Sequence, residues 1–197
     1  MKIYAFPLLI GYFLGSVSIS ILLSRLILKD DVRSHGSGNA GATNVARVYG
    51  MKAGLLTLVG DMLKTLLSGY LGWLLGGETG LIFGFVGCFL GHCWPVFFGF
   101  HGGKGVAVAV AIAPVVDVSM FLILFVLFFL IFLLSRRVSL CSVICAVGLP
   151  VVYWLLHPGI SLKFFFCVFV CVLLVFQHRG NIVRLIHGQE PKFKPKK

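Results

Sequence analysis

Two glycine-rich segments of the chain carry side chains that could bind an anion. They are "HGSGNAGATNVAR", residues 35–47, and "HGGKG", residues 101–105. Glycines let backbone N–H groups converge on one cluster of oxygens, and a lysine or arginine adds positive charge. The predicted chemistry is therefore the binding of phosphate-bearing molecules. The candidate groups are Ser37, Asn39, Gly41, Thr43, Asn44 and Arg47 in the first segment, and Gly102, Gly103, Lys104 and Gly105 in the second.

The first segment matches a dinucleotide-binding fingerprint by its letters but not by its context. Gly36, Gly38 and Gly41 have the spacing GxGxxG, and Asp61 stands about where that fingerprint places an acid for the ribose. A dinucleotide fold sets such glycines between a buried strand and a helix. Here an apolar run of membrane-spanning length and a polar stretch precede them. We therefore expect no dinucleotide at this loop.

The second segment departs from the phosphate loop of ATPases. That loop reads GxxxxGK[ST], whereas Gly105 replaces the Ser or Thr that would contact magnesium. ATP hydrolysis is therefore not predicted. Lys104, followed by the N-terminus of a predicted helix, would still favour an anion. For Thr43 and Asn44 in the first segment, capping of a helix is an alternative to substrate binding.

A third polar segment, "HRGNIVRLIHGQE", follows the last apolar run. His178, Asn181 and Arg184 in this segment would group on one side of a helix end. A basic helix end at the lipid headgroups would explain its arginines. It would not explain Asn181 or Glu190, so we expect this segment to contribute to the same chemistry.

Asp61, Lys64 and His92 lie well inside apolar runs, away from their ends, where a charge is costly. Asp61 and Lys64 are three residues apart and either neutralise each other or present Lys64 to the site. His92, shortly before Pro95, is either a buried, hydrogen-bonded histidine or a substrate-binding one. No metal site is predicted, because His92 has no evident metal partners and none of the six cysteines forms a CxxC pair.

The composition indicates what must position these groups. Apolar residues make up 59 % of the 197 residues and charged residues 12 %, and the mean hydropathy is +1.04. A soluble domain carries about 25 % charged residues and could not bury so much apolar sequence. We predict an all-α integral membrane protein with a single polytopic domain over residues 1–197. The net charge of +11 is attributed to topology and anionic membrane lipid, not to nucleic acid.

The apolar runs predict a bundle of about seven transmembrane helices, the fourth of them short. With the N-terminus outside and the C-terminus cytoplasmic, nearly all basic residues between runs lie on the cytoplasmic side. Merging 105–134 into one span would place Arg136, Arg137 and the basic tail outside. In the seven-helix arrangement the three polar segments share one membrane face. The runs lie at about 4–27, 53–76, 80–100, 105–116, 118–134, 138–156 and 161–177.

Three segments taken together resemble a known family. "GSGNAGATNVAR", "GHCWPVFFGFHGGKGVA" and "HRGNIVRLIHGQE" are similar to the three cytoplasmic motifs of the bacterial acyl-phosphate:glycerol-3-phosphate acyltransferase (PlsY) family. The resemblance covers nearly the whole chain. It implies acyl transfer from acyl phosphate to the 1-position of glycerol 3-phosphate, which gives lysophosphatidic acid and phosphate in the first step of phospholipid biosynthesis.

The resemblance also implies roles for individual residues. Ser37, Arg47, His178 and Asn181 match catalytic residues of the family, and Glu190 matches a residue with a structural role. The second motif, from Gly102 to Gly105, would bind glycerol 3-phosphate. The family further implies that there is no cofactor, that the active site faces the cytoplasm at the bacterial inner membrane, and that a functional link exists to the enzyme that makes acyl phosphate. The chain departs from the family at His101, Thr65 and Val108, where lysine, glycine and threonine are common.

Acyl phosphate is already activated, so the enzyme mainly has to hold two anions together and remove a proton from the hydroxyl. We hypothesise that Lys104 and the neighbouring glycine amides bind glycerol 3-phosphate, while Arg47, Ser37 and Asn39 bind the acyl phosphate head. The general base is either His178 or the phosphate of the substrate. Covalent catalysis by Ser37 is less favoured, because no adjacent base is visible.

The alternative function is transport of a phosphorylated metabolite. A transporter is expected to have internal repeats and a site at the middle of the membrane. The chain shows no convincing repeat, and its polar motifs lie at one face. A purely structural membrane subunit would leave the glycine- and lysine-bearing loops unexplained. We therefore favour the acyltransferase.

Overall fold

A computed structural model describes residues 2–196, and all regular secondary structure in that range is helical. The all-α prediction is confirmed for these residues. A π-helical turn, Leu23–Ile27, and two 3-10 turns, Val32–Ser34 and Val96–Phe98, lie between the α-helices. The α-helices are α1 (Lys2–Ser16), α2 (Ile19–Leu22), α3 (Ala42–Tyr49), α4 (Met51–Cys93), α5 (Val106–Val116), α6 (Val118–Ser135), α7 (Val138–Leu156), α8 (Leu162–Gln177) and α9 (Arg179–Ile186).

The helices form two compact units. The first unit runs to Ile112 and takes in the end of the chain from Lys194, and the second unit is Ala113–Phe193. The first unit therefore contains α1 to α4, and the second contains α6 to α9. A single polytopic domain stays a prediction.

In the first unit, α4 is a helical hairpin although it is assigned as one element of 43 residues. Gly76 and Gly77 leave the helical region, and Gly77 has φ +57°, which glycine adopts without the clash of a Cβ atom. Beyond this turn the chain folds back, so that the two arms of the hairpin are in close contact. The contact is so close that a Cβ atom on Gly84 would collide with the carbonyl of Ser68. The turn lies at the boundary that hydropathy predicts between the second and third apolar runs.

Helix α1 packs against the second arm of this hairpin through backbone contacts. Glycines line both sides of the contact, Gly11 and Gly15 on α1 and Gly87 and Gly91 on α4. A Cβ atom on any of them would overlap the backbone of the facing helix. Small residues allow membrane helices this close approach. The second glycine-rich segment, which follows α4, and the chain that leads from α1 through α2 to the first one therefore start from closely packed helices.

In the second unit, local capping groups determine where helices begin. Asp117 accepts a hydrogen bond from the Met120 N–H at 2.6 Å and so caps α6, while Ser161 caps α8 through the Phe164 N–H at 3.1 Å. Side-chain oxygens at the N-cap satisfy N–H groups that have no partner within the helix. The break at Asp117 separates α5 from α6, as the charge argument predicts.

Several helices are long and apolar enough to cross a membrane. The described residues contain four candidate spans, or five if α8 and α9, which meet at a bend of 61°, form one broken span. The candidate Met51–Phe98 contains the hairpin turn, and α5 is shorter than a full span. The seven-helix count and the orientation of the termini stay predictions. The other candidates are Tyr4–Ile27, which takes in α1, α2 and the π-helical turn, and the single helices Val118–Ser135 and Val138–Leu156.

Candidate active site

Asn44 organises the first glycine-rich loop from its position in α3. Its side-chain oxygen accepts the Ser37 N–H at 2.9 Å, and its amide donates to the carbonyls of Val32 at 3.2 Å and His35 at 3.0 Å. Gly36 has φ +61°, and a Cβ atom there would collide with the Asn44 side chain. Asn44 therefore organises the loop backbone, but it does not cap α3, because the N-cap of that helix is Gly41 and no side chain caps it. Direct contact of Asn44 with substrate stays a prediction.

The other polar side chains of this segment are not used by the loop itself. Within residues 2–196, the side chains of Ser37, Asn39, Thr43 and Arg47 have no hydrogen-bond or ion-pair partner. Ser37 is exposed and the other three are half-buried. Gly41 contributes through its backbone, because its carbonyl accepts the Asn44 N–H at 2.9 Å at the start of α3. The first unit therefore presents a structured loop, followed by α3, whose polar side chains at these four positions have no partner within the described residues.

The second glycine-rich segment folds back onto the end of the α4 hairpin. The Gly102 N–H donates to the Cys93 carbonyl at 3.2 Å, and the Gly103 N–H donates to the His92 carbonyl at 3.0 Å. Both N–H groups are therefore occupied by main-chain acceptors, in contrast to the expectation that they hold a phosphate. A Cβ atom on Gly103 would collide with the His92 ring. A contribution of Gly102 and Gly103 to substrate binding stays a prediction, and it would come from their lack of side chains.

Lys104 and Gly105 lie at the start of α5. Lys104 is half-buried, and Gly105 is buried with φ +87°. A Cβ atom on Gly105 would overlap the Phe89 ring of α4. The helix begins directly after Gly105, as the sequence predicts, so Lys104 stands at a helix N-terminus. Its charge and the helix dipole would both favour an anion there.

A buried ionic network lies behind this segment. Lys64 Nζ is 2.8 Å from Asp61 Oδ1 and donates to the carbonyls of Gly15 at 2.9 Å and Val17 at 2.8 Å. The ammonium group therefore donates to two main-chain carbonyls, and Asp61 supplies the opposite charge. Asp61 Oδ1 is also 3.5 Å from His92 Nδ1. The expected Asp61–Lys64 pair is thus present, and a substrate contact by Lys64 or His92 stays a prediction.

Sequence reasoning missed an ion pair, between Asp31 and Arg33, beside the first loop. The carboxylate of Asp31 accepts hydrogen bonds from Arg33 Nε at 3.0 Å and Arg33 Nη2 at 2.9 Å. These bonds hold the pKa of Asp31 well below its usual range, and Asp31 in turn raises the pKa of Arg33. The available signal is the close spacing of opposite charges, Asp30, Asp31 and Arg33, just before the glycines.

Tyr49 extends this polar cluster from the end of α3. Its hydroxyl donates to Asp30 Oδ2 at 2.9 Å. Burial and this hydrogen bond to a carboxylate raise the pKa of Tyr49 to about 12. Tyr49 therefore stays a neutral donor over the physiological pH range, and it connects α3 to the residues before the first loop.

In the second unit, Glu190 connects the segment that follows α9 to α7 and to α9 itself. Its carboxylate accepts hydrogen bonds from Ser139 at 2.6 Å, Asn181 at 2.7 Å and Arg184 at 2.8 Å. Burial raises the pKa of Glu190, but the three hydrogen bonds outweigh it and leave the pKa below its usual value. These contacts agree with the structural role implied for Glu190. Asn181 uses its amide nitrogen in this network.

His178 lies at the bend between α8 and α9. It is 3 % exposed, and its Nδ1 is 2.8 Å from the Leu174 carbonyl. Because a carbonyl only accepts, Nδ1 carries the proton in the neutral ring and Nε2 is the basic nitrogen. The predicted residues of the third motif, His178 among them, lie in the second unit. Those of the first two motifs lie in the first unit.

Comparisons with known proteins agree with the motifs. A family model described as "Glycerol-3-phosphate acyltransferase" matches residues 5–188. A protein of that name from Finegoldia magna is 40 % identical over 196 residues, which cover 96 % of this chain and 97 % of the relative. Another of that name, from Haemophilus influenzae, is 41 % identical over 200 residues, with coverage of 98 % and 96 %.

Two solved structures are similar to this one. Both are crystal structures of PlsY, named as an integral membrane glycerol 3-phosphate acyltransferase. The glycerol 3-phosphate form has a TM-score of 0.89 and 35 % identity, and covers 97 % of this chain and 96 % of that one. The lysophosphatidic acid form has a TM-score of 0.85 and 34 % identity, with coverage of 97 % and 95 %.

Proposed function

The chain belongs to the glycerol-3-phosphate acyltransferase family and is an acyltransferase that acts on glycerol 3-phosphate, and we propose that its acyl donor is an acyl phosphate. The products are then 1-acyl-glycerol 3-phosphate (lysophosphatidic acid) and inorganic phosphate. The two bound forms of the similar PlsY structures, with glycerol 3-phosphate and with lysophosphatidic acid, support this acceptor and this product.

The observation that carries the site assignment is the contrast within the first loop. Asn44 meets the hydrogen-bonding needs of the loop backbone, whereas Ser37, Asn39 and Arg47 have no partner within residues 2–196. Ser37 and Asn39 on the ordered loop and Arg47 on α3 are therefore preorganised for a ligand. An arginine and a hydroxyl suit phosphate oxygens, because both give charge-assisted hydrogen bonds. We assign the acyl phosphate head and its developing oxyanion to these three side chains.

Lys104 is assigned to the phosphate of glycerol 3-phosphate. It stands at the N-terminus of α5, where the helix dipole adds to its own charge. Because the two substrates are both anions and repel each other, each requires its own cation. Arg47 and Lys104 supply one cation each.

The reaction is a direct acyl transfer. The 1-hydroxyl oxygen of glycerol 3-phosphate attacks the acyl carbonyl carbon and forms the new ester bond. The bond from that carbon to the phosphate oxygen breaks, and inorganic phosphate leaves with the electron pair. The hydroxyl proton passes to a general base, for which the candidates are His178 Nε2 and a substrate phosphate. His178 is favoured as a protein base because its Leu174 hydrogen bond makes Nε2 the basic nitrogen.

The setting of the enzyme is proposed from its composition and motifs. We place it in the bacterial inner membrane, with seven helices, an outside N-terminus and a cytoplasmic active site. Membrane lipid surrounds the apolar helices, and the acyl chain of the donor enters from the lipid. A donor of this reactivity requires a functional link to an enzyme that makes acyl phosphate. The transporter alternative has no observation in its favour.

A donor comparison tests this function. Purified protein in detergent is mixed with labelled glycerol 3-phosphate and palmitoyl phosphate, palmitoyl-CoA or an acylated carrier protein, and the labelled lipid is measured. Of the three donors, we expect only palmitoyl phosphate to give labelled lysophosphatidic acid. Product with only another donor would contradict the assigned donor, and no product from folded protein with any donor would contradict the activity. Arg47→Ala is the site variant, and Arg179→Ala, which changes an exposed arginine in α9, is its control.

A further inference from the structure

Arg33 connects the two glycine-rich loops, although it belongs to neither motif. It lies in the 3-10 turn Val32–Ser34, just before the first loop. Its Nη1 donates to the Phe98 carbonyl at 2.9 Å and lies 3.4 Å from the His101 carbonyl. These two carbonyls flank the turn that leads into the second glycine-rich segment. A side chain from one loop therefore holds the backbone of the other.

The guanidinium of Arg33 is held on its opposite edge by Asp31. Nε and Nη2 donate to the two carboxylate oxygens at 3.0 and 2.9 Å, and the Arg33 backbone N–H donates to Oδ1 at 3.0 Å. Paired hydrogen bonds of this kind fix the plane of the guanidinium as well as its position. Because Asp31 neutralises its charge, Arg33 is suited to holding the backbone carbonyls and is not required as a phosphate ligand.

The backbone that Arg33 holds is strained. Gly99 has φ +67° and Phe100 has φ +60°, in the left-handed region that a bulky residue rarely adopts. Such a conformation persists only where the surroundings determine it. Inside the turn, the Phe100 N–H donates to the Pro95 carbonyl at 2.9 Å. Arg33 provides the hydrogen bonds on the outer side, at the carbonyls of Phe98 and His101, before and after Gly99 and the strained Phe100.

Lys104 follows this turn after only two glycines. The N–H groups of those glycines donate to carbonyls at the end of α4. The second glycine-rich segment is therefore held by α4 at its glycines and by Arg33 at the turn before them. We infer that Arg33 is a positioning residue that holds Lys104 where it binds the phosphate of glycerol 3-phosphate. The inference rests on the proposed function, because it assumes that Lys104 binds the phosphate of glycerol 3-phosphate. Asp31 supports Arg33 in this role.

Arg25 offers a matched control. Its Nη2 also pairs with Asp31 Oδ2 at 2.9 Å, and its guanidinium lies 6.0 Å from the centre of the Phe98 ring. It donates to neither of the two carbonyls that Arg33 binds. Arg25→Gln therefore removes a similar charge from the same carboxylate while the link between the loops stays intact.

The test measures substrate affinity and turnover separately. Wild type, Arg33→Lys, Arg33→Gln and Arg25→Gln are purified, and KM and kcat are measured with glycerol 3-phosphate and palmitoyl phosphate. Both Arg33 variants should raise the KM for glycerol 3-phosphate by about tenfold or more, as expected when a displaced Lys104 loses its charge-assisted hydrogen bond to the phosphate. The KM for palmitoyl phosphate should change by less than about threefold, within the range of a minor contact. Arg25→Gln should resemble wild type in both.

A double-variant comparison shows whether Arg33 acts through Lys104. In the Lys104→Ala background, Arg33→Gln should raise the KM no further, because the group that it positions is absent. Additive effects, equal losses for both substrates, or the same loss in Arg25→Gln would each overturn the inference. Should Arg33→Gln fail to fold, Arg33→Lys, which keeps the charge and most of the side chain, decides the outcome.

Calorimetric binding of glycerol 3-phosphate without any acyl donor separates this inference from the proposed reaction. A dissociation constant raised about tenfold in Arg33→Lys supports the inference, even if wild type makes no product from palmitoyl phosphate. An unchanged dissociation constant in both Arg33 variants overturns it, even if wild type is fully active.

Discussion

Lys64 Nζ lies 2.8 Å from Asp61 Oδ1, and the same ammonium binds the carbonyls of Gly15 and Val17, where the chain passes from α1 to α2. The side chains of Lys64 and Asp61 are 7 % and 2 % exposed. The ion pair therefore does more than neutralise two charges inside an apolar helix. It also satisfies carbonyls that the break after α1 leaves without helical partners.

We predict that Lys64→Met destabilises the protein strongly. It leaves Asp61 as a buried charge without its cation, which typically costs about 3–5 kcal/mol. Thermal denaturation in detergent measures the loss. Adding Asp61→Asn should recover part of it, and Lys52→Met, at an exposed lysine of the same helix, is the control. An unchanged denaturation temperature in Lys64→Met would contradict the role of the pair.

Gly103→Ala should abolish most activity while the protein stays folded. The added methyl group would collide with the His92 ring and displace the segment that carries Lys104. A displacement of about 1 Å can reduce the rate roughly 100-fold, and kcat/KM measures it. Gly180→Ala is the control, because the nearest atom to a Cβ there is 3.7 Å away. If both variants retain wild-type kcat/KM, the close packing of Gly103 is not required for activity.

Lys104→Ala should chiefly weaken the binding of glycerol 3-phosphate. Loss of a charged hydrogen-bond donor is worth about 1.5–3 kcal/mol, which is roughly a 10- to 100-fold increase in KM. The effect should shrink as salt concentration rises, because ions screen the attraction. His101→Ala, at an exposed neighbouring position, is the control. An unchanged KM for glycerol 3-phosphate would rule out the assigned contact.

Glu190 should make the stability of the protein depend on acid pH. Its pKa in the folded protein lies below the ordinary value of 4.5, so its contribution is fully present above that pH. The contribution is lost as the pH falls from there through the lower folded pKa. Thermal denaturation from neutral pH to about pH 3 should show a smaller decrease for Glu190→Gln than for wild type. Glu78→Gln, at an exposed position, should decrease like wild type.

The pH dependence of His178→Asn should identify the general base. Asparagine can still donate to the Leu174 carbonyl, so the fold of the bend is retained while the basic Nε2 is removed. If His178 is the base, kcat should fall by about 100-fold or more. A smaller loss, with an unchanged acid limb in the pH profile, would assign the base to the substrate phosphate. Circular dichroism checks that the variant is folded.

The sequence by itself determined the helical, membrane-embedded character of the chain, because hydropathy and charge are properties of local composition. It located the boundary at Gly76 and Gly77, and it separated α5 from α6 at Asp117. It also identified the family, because three motifs in one order carry enough information. The pairing of Asp61 with Lys64 was accessible as well, since residues three apart share a helix face.

The tertiary structure alone decided which polar groups are used internally. Arg33 binds a carbonyl 65 residues away, and Lys64 binds one 49 residues away. It showed that the N–H groups of Gly102 and Gly103 have main-chain partners, and that Asn44 serves the loop. A hydrogen bond requires two atoms within about 3 Å. That distance depends on how separate segments pack, which no local pattern of residue types determines.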